Sequence, residues 1–66
     1  MKVTILPGRE VREVDAGTVA DLLKRLGLHR DAHIVVRGED ILTFDVRLAP
    51  RDELEIWPVI SGGGWA

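Results

Sequence analysis

The sequence predicts an α+β fold in which one short helix packs on one face of a four- or five-stranded sheet. Short alternating or β-branched segments, typical of strands, lie on both sides of one segment with helical periodicity. That segment has an apolar stripe on one side only, which has to be buried against another layer. The order strand, strand, helix, strand, strand, strand therefore indicates one helix on one sheet.

Composition limits the functions that this chain can have. Its 66 residues are enough for one small domain, and a chain of this size buries only about 60% of its unfolded surface. It has no cysteine, which excludes disulfides, thiolate chemistry and cysteine metal sites. The formal net charge is −2 with both signs interspersed, so no basic stripe indicates nucleic acid. No apolar run has the length of a signal peptide or a membrane span, and we expect a cytoplasmic protein.

The N-terminal segment predicts a β-hairpin. Residues Lys2 to Leu6 alternate, which puts Val3 and Ile5 on one face of a first strand. A Pro-Gly turn separates this strand from a mostly polar second strand, Arg9 to Val14. The two valines of the second strand are out of phase for regular alternation, so a bulge or an early strand end is expected there.

The clearest local pattern predicts a helix over residues 19 to 26. Thr18 is a good N-cap, Asp21 follows three residues later as in a capping box, and Gly27 is placed for the C′ position. A lysine and an arginine lie near the C-terminal end of the helix, where cations are favoured. The apolar positions that recur at helical spacing are Val19, Leu22, Leu23 and Leu26.

A second hairpin is predicted after the helix. His33 to Arg37 forms a third strand, in which we expect Ile34 and Val36 to point inward. A Gly-Glu-Asp turn follows, and Ile41 to Phe44 forms a short fourth strand. The loop after it is expected to have one buried anchor, Leu48.

The last strand, Glu53 to Trp57, leads into the most distinctive part of the chain. Leu54 and Ile56 fall on one face of this strand, and the two glutamates and Trp57 fall on the other. Pro58 limits the hydrogen-bond ladder because it has no N–H to donate. A serine and three glycines follow soon after, so we predict a domain over residues 1–60 and a flexible glycine-rich tail over residues 61–66.

Candidates for catalysis or metal binding are few. His29 and His33 are four residues apart, a spacing that could present two metal ligands on a helix. However, Gly27 ends the predicted helix before them, and solvated loop histidines are the better interpretation. No nucleophile–base pair, phosphate-binding loop or zinc spacing is visible. We therefore predict a protein that is not an enzyme, with no catalytic residues, no metal site and no bound cofactor.

The segment from Asp52 to Gly63 resembles the C-terminal signature of the ThiS/MoaD sulfur-carrier family. The shared features are an acidic turn, a strand, an aromatic–proline step, two apolar residues, a small residue and Gly-Gly. The rest of the chain is compatible with this family, so the resemblance covers the whole domain. It implies a ubiquitin-like β-grasp fold, with a mixed sheet in which the first and last strands are parallel neighbours at the centre.

The resemblance also implies that a glycine carboxylate is the functional group. In this family an E1-like adenylating enzyme of the ThiF/MoeB kind activates the glycine with ATP, and a sulfur donor then displaces AMP to leave a thiocarboxylate. The implied site is Gly63, or alternatively Gly64, and a sulfur-accepting synthase is a further implied partner. The implied arm consists of Ser61, Gly62, Gly63 and Gly64.

One difference from the family concerns the residues after the Gly-Gly pair. Members normally end at that pair, whereas this chain continues with Gly64, Trp65 and Ala66. The resemblance therefore implies a processing protease, of the metalloprotease kind, that removes this extension. A frayed chain end or a cloning remnant are the competing interpretations of the glycine-rich segment.

The resemblance further implies a docking surface on the sheet face without the helix, because carriers of this family dock on the adenylating enzyme through an apolar patch there. Trp57 is placed on that face by the alternation, and aromatic residues are enriched in interface cores. Pro58, Val59 and Ile60 would extend the patch toward the arm. Packing of Trp57 against its own chain is the alternative. We expect no nucleic-acid or membrane partner.

Other functions are compatible with the same features. A ubiquitin-like modifier, conjugated to lysines through the same glycine, would share the fold, the tail and the activating enzyme. A small binding module with an incidental glycine tail is a third possibility. For a carrier, the acceptor of the sulfur stays open among the thiamine thiazole, the dithiolene of a molybdenum or tungsten pterin, an amino acid and a tRNA base. The step from Trp57 to Pro58 is more like the pterin branch, and the short length is more like the thiazole branch.

Overall fold

The computed structural model describes residues 1–59, which form five strands and one helix in the predicted order. The predicted α+β class is confirmed. The tail predicted over residues 61–66, and the boundary before it, lie outside the described residues. The elements are β1 (Lys2–Ile5), β2 (Glu10–Glu13), α1 (Val19–Leu26), β3 (His33–Arg37), β4 (Asp40–Leu42) and β5 (Glu53–Pro58).

The five strands form one mixed sheet in the order β2-β1-β5-β3-β4. β1 and β5 are parallel, with Val3 opposite Leu54 and Ile5 opposite Ile56, and the other neighbours are antiparallel. The first and last strands of the chain are therefore neighbours in the interior of the sheet. This is the topology of a ubiquitin-like β-grasp, as the resemblance predicted.

The helix α1 has the predicted bounds because its sequence caps both ends. The Thr18 hydroxyl accepts a hydrogen bond from the Asp21 N–H at 3.2 Å. The Asp21 carboxylate accepts from the Gly17 N–H at 3.3 Å, one residue before the position used in a capping box. At the other end Gly27 has a φ of 74°, and the Leu28 N–H donates to the Leu23 carbonyl at 2.9 Å, which together form a Schellman motif.

The core lies between α1 and one face of the sheet. Three of the four predicted helix positions are fully buried, and Leu26 is only half-buried at the edge. Leu54 and Ile56 of β5 are buried as the alternation predicted. The fully buried side chains are Val3, Val19, Leu22, Leu23, Val35, Leu54 and Ile56. This packing leaves the opposite face of the sheet without the helix.

The predicted orientation of β3 is wrong. Val35 faces the core and is 1% exposed, opposite Ile56 of β5, whereas Ile34 and Val36 are half-buried on the other face. This strand has three consecutive apolar residues, so apolar and polar positions do not alternate along it. The sequence therefore does not show which of the three points inward. The pairing of β3 with β5 decides the orientation.

The segments around β4 differ from the prediction in three respects. Asp40 belongs to β4 rather than to the turn, because it pairs with Arg37 across a two-residue turn. β4 ends at Leu42 instead of Phe44, whose carbonyl accepts a hydrogen bond from the N-terminal turn of α1. Leu48 is half-buried and shares its anchoring role with Val46, which is also half-buried against the core.

The other strand ends are close to the prediction. β2 stops at Glu13, in agreement with the expected early end, and all four of its residues are exposed. β5 continues one residue further than predicted, to Pro58. Within residues 1–59, no helix has the length and apolar character needed to cross a membrane.

Candidate functional site

The sheet surface opposite α1, here called the open face, carries the candidate site. Alternation along β5 places Glu53, Glu55 and Trp57 on this surface, and their partners in the neighbouring strands share it. Its character changes along the strand direction from charged to apolar. The open face includes Lys2, Thr4, Val11, Ile34, Val36, Ile41, Glu53, Glu55 and Trp57.

The apolar end of the open face lies where β5 ends. Trp57 is 44% exposed and lies opposite Ile34, and Ile41 is 69% exposed and lies opposite Val36. Val59, which is 40% exposed, continues this surface. We call these five residues the apolar patch. A cluster of exposed apolar side chains on a small domain is typical of a surface that binds another protein.

The structure describes three of the four predicted docking residues. Trp57, Pro58 and Val59 are all exposed, and Trp57 lies on the face away from the core, which excludes packing in the core as its role. Ile60 lies outside the described residues. The same holds for the arm and for the extension, residues 61–66.

Three residues of the apolar patch were not predicted from the sequence to lie on this surface. Ile34 and Val36 were assigned to the core, and Ile41 was given no role. The signal that identifies all three is the strand register, because each shares the open face with a β5 residue or its neighbour. Register depends on long-range pairing, which the local pattern of a short apolar strand does not show.

The base of the arm is held on both sides by backbone hydrogen bonds. On one side the Leu6 N–H donates to the Ile56 carbonyl at 2.8 Å, beyond the end of β1. On the other side the Val59 N–H donates to the Ala32 carbonyl at 2.8 Å, just before β3. The chain is thus fixed in an interior position of the sheet up to Val59, directly before the segment that carries the glycines.

Three carboxyl groups with a lowered pKa, those of Asp21, Asp45 and Asp52, have structural roles. A hydrogen bond from the Ala49 N–H at 2.8 Å, together with the Arg37 guanidinium at 3.1 Å, lowers the pKa of Asp52 at the start of β5. The Arg25 side chain lowers the pKa of Asp21, and the Thr43 hydroxyl lowers the pKa of Asp45. A general acid at neutral pH needs a raised pKa, so these three carboxyls do not form such a site.

The two histidines do not form a metal site with other side chains in residues 1–59. His33 begins β3, as predicted, and its Nδ1 donates to the His29 carbonyl oxygen at 2.9 Å. The described part of the chain has no group of three or more His, Asp or Glu side chains placed to bind a metal ion. The surface feature that stands out is therefore the apolar patch at the base of the arm.

Comparison with known proteins identifies the class to which this β-grasp domain belongs. The ThiS family model matches residues 3–63 of the chain. Sulfur carrier protein TtuB of Thermus thermophilus is 37% identical over 65 residues, an alignment that covers 96% of this chain and 100% of that protein. A small ubiquitin-like domain with this match is a sulfur carrier protein by family. More narrowly, the chain belongs to the ThiS family, and the resemblance noted in its sequence is confirmed.

Proposed function

We propose that this protein carries sulfur as a thiocarboxylate on Gly63, after an E1-like adenylating enzyme of the ThiF/MoeB kind has activated that glycine with ATP. The observation that carries the proposal is the family match, which extends to Gly63 and so includes the Gly-Gly pair at residues 62–63. The relative that aligns over its whole length is itself named a sulfur carrier. Gly64 is the second choice for the reacting residue.

The proposed chemistry requires little of the carrier except a terminal carboxylate. A carboxylate oxygen attacks the α-phosphorus of ATP and pyrophosphate leaves, which gives an acyl-adenylate. Sulfur at the sulfide level, delivered as hydrosulfide by the donor, then attacks the carbonyl carbon, AMP leaves with the electrons of the broken C–O bond, and loss of the S–H proton leaves the thiocarboxylate. The partner enzyme supplies ATP, the acid–base groups and the sulfur donor, so the chain itself acts as a non-catalytic carrier with no bound cofactor.

The fold supports this role through the position of β5, the strand that precedes the arm in the sequence. The chain is fixed to the sheet up to Val59 by hydrogen bonds on both sides of β5. From Val59 to Gly63 there are four residues, which span at most about 14 Å when fully extended. A partner that binds the apolar patch, formed by Trp57 and its neighbours, therefore has the Gly63 carboxylate within this distance of the docking surface.

The residue types of the arm suit a narrow channel. Gly62 and Gly63 have no Cβ, so they present the least width and tolerate backbone conformations with positive φ. Trp65 is too wide for a channel that selects glycine. The arm, Ser61 to Gly64, thus has the composition that entry into the ATP pocket of another protein demands.

The residues after Gly63 have to be removed before the chemistry can begin. In the uncut chain Gly63 is joined to Gly64 by an amide, which has no carboxylate oxygen to attack ATP. A processing protease that releases Gly64, Trp65 and Ala66 is therefore a proposed partner. This requirement holds for any chain that continues past Gly63.

We assign the sulfur to cofactor biosynthesis, with a sulfur-accepting synthase as the second partner. The two acceptor classes are the thiazole of thiamine and the dithiolene of a molybdenum or tungsten pterin. Deletion of the gene distinguishes them. A growth requirement for thiamine identifies the first acceptor, and loss of molybdenum- or tungsten-dependent enzyme activity identifies the second.

Mass spectrometry of the protein purified from its own cells tests the proposal. A free species that ends at Gly63, with one oxygen replaced by sulfur, is the expected result. A glycine remnant on lysines of other proteins, with no thiocarboxylate species, would instead identify a ubiquitin-like modifier and contradict the carrier function.

A further inference from the structure

A single carboxylate lies at the centre of the open face without a cation beside it. Glu55 is exposed and lies between Thr4 of β1 and Val36 of β3, two residues before Trp57. Within residues 1–59, no lysine, arginine or histidine nitrogen lies within 4.0 Å of its carboxylate, and no side chain or backbone N–H donates to it. Water satisfies this charge when the face is free.

The neighbouring glutamate on the same strand and face is different. Glu53 lies opposite Lys2 of β1, whose Nζ is 4.0 Å from the Glu53 carboxylate, and the Glu53 side chain is 78% exposed. Glu53 lies two residues further from Trp57 along β5 than Glu55 does. The two glutamates therefore have the same geometry in the strand but different electrostatic surroundings.

A shallow hollow beside Glu55 provides space for a side chain from another protein. Its volume is about 320 Å³, and it is lined by Lys2, Thr4, Gly38, Glu53, Leu54 and Glu55. The one cation among them, Lys2, lies 4.0 Å from the Glu53 carboxylate, so Glu55 is the carboxylate in the hollow that has no cation within that distance. The hollow lies at the charged end of the open face, and Glu55 connects it to the apolar patch, because Glu55 lies opposite Val36. A basic side chain that entered it would meet the Glu55 carboxylate and would lie near that of Glu53.

Burial of the apolar patch by a partner would remove water from Glu55 as well. An isolated carboxylate that loses its water is strongly destabilised unless a cation and hydrogen-bond donors replace it. A partner that is only apolar would therefore bind this face poorly. A partner that presents a basic side chain at this position would gain a charge-assisted hydrogen bond, and arginine is the best match because it can bind both carboxylate oxygens.

We propose that Glu55 is a specificity-determining residue, which selects an adenylating enzyme that inserts a basic side chain, preferably arginine, into the hollow on the open face. This inference rests on the proposed function, because it assigns the open face to that enzyme. Charge complementarity excludes acidic or purely apolar surfaces as partners. The apolar patch then contributes affinity, and Glu55 distinguishes the cognate enzyme from other proteins with apolar surfaces.

The test uses the chain that ends at Gly63 and the E1-like adenylating enzyme of the same organism. Glu55→Gln and Glu55→Arg are compared with Glu13→Arg, which makes the same change of charge on the same face of the sheet but outside the hollow. Dissociation constants are measured by calorimetry at low and high salt, and thermal unfolding of each variant checks that the fold is kept. We expect affinity to fall about tenfold for Glu55→Gln and about a hundredfold or more for Glu55→Arg, but less than about threefold for Glu13→Arg.

The salt dependence of the dissociation constant is a second readout. It would not change if Glu55 only stabilised the fold. Loss of an interfacial charge pair should reduce the effect of salt on binding of Glu55→Gln relative to the unmodified chain. If Glu55→Arg binds as tightly as the unmodified chain, or if Glu13→Arg loses as much affinity as Glu55→Arg, while Gly63 is still adenylated, the role of Glu55 is overturned. If the unmodified chain neither binds nor is adenylated, the proposed function fails, and the role of Glu55 fails with it.

Discussion

Ile34 of β3 lies directly opposite Trp57 of β5, on the sheet face that α1 does not cover. The pair forms at the end of β5 that leads into the arm, and Trp57 keeps 44% of its surface exposed. Cross-strand aromatic–aliphatic pairs stabilise a sheet modestly, by about 0.2–1 kcal/mol. The exposed area that remains leaves this pair accessible to a partner, and the first two predictions concern it and its neighbours.

Trp57→Ala should weaken binding to the adenylating enzyme by about 2 kcal/mol or more, as loss of a central aromatic anchor does. The free energy of unfolding should fall by less, because nearly half of the side chain is already exposed. Calorimetric binding and urea denaturation of the same preparation measure the two effects. If the variant unfolds and binding follows only the folded fraction, Trp57 acts in folding rather than in docking.

Ile41→Ala should reduce affinity for the same enzyme by about 1 kcal/mol with almost no change in stability, because the side chain is 69% exposed. Phe44→Ala is the matched control. Phe44 is also an exposed apolar residue, at 38%, but it lies beyond the end of β4, where the Arg30 guanidinium is 5.4 Å from its ring centroid. Equal losses of affinity for both variants would show that binding does not depend on the open face.

The helix variants test the core. Leu22→Ala should lower the free energy of unfolding by about 2–5 kcal/mol, because it removes a fully buried side chain from between α1 and the sheet. Leu26→Ala should cost less than Leu22→Ala, since Leu26 is half-buried at the edge of the core. Urea denaturation measures both changes. A cost below about 1 kcal/mol at Leu22 would contradict the packing described here.

The sequence predicts an element well when the interactions that determine it are between residues close together in the sequence. The bounds of α1 were predicted correctly because Thr18 and Gly27 cap the helix through contacts within a few residues. The faces of β5 were also predicted correctly, since Leu54 and Ile56 alternate with polar residues and Trp57. Local signals were sufficient in both cases.

The features that local sequence patterns did not predict depend on contacts between segments that are distant in the sequence. The inward residue of β3 was predicted wrongly because Val35 has an apolar residue on each side, so only its pairing with Ile56 fixes the phase. The same error removed Ile34 and Val36 from the predicted docking surface. The parallel pairing of β1 with β5 came from the family resemblance, because periodicity does not indicate which strands are neighbours.

Asp52 should make stability depend on acid pH. The Ala49 N–H and the Arg37 guanidinium lower its pKa in the folded state from the ordinary value of 3.8. A carboxyl with a lowered folded-state pKa contributes stability above its unfolded pKa, and this contribution is lost as pH falls through the folded-state value. Asp52→Asn should therefore be less stable than the unmodified chain at neutral pH, and the difference should shrink below pH 3.8.

Thermal unfolding at a series of pH values measures this effect. Asp31→Asn is the control, because it removes an exposed carboxyl that has no ion pair or hydrogen bond within residues 1–59. A stability difference between Asp52→Asn and the unmodified chain that is the same at neutral and acid pH would contradict the prediction.

ATP–pyrophosphate exchange with the E1-like adenylating enzyme tests whether Gly63 carries the reacting carboxylate. Three chains are compared, ending at Gly63, at Gly64 and at Ala66. We predict rapid exchange for the chain ending at Gly63 and none for the chain ending at Ala66, because its Gly63 is an amide and Trp65 is too wide for the channel. Faster exchange by the chain ending at Gly64 would move the site by one residue. If the chain ending at Ala66 exchanges as fast as the chain ending at Gly63, with its mass intact, Gly63 is not the reacting residue.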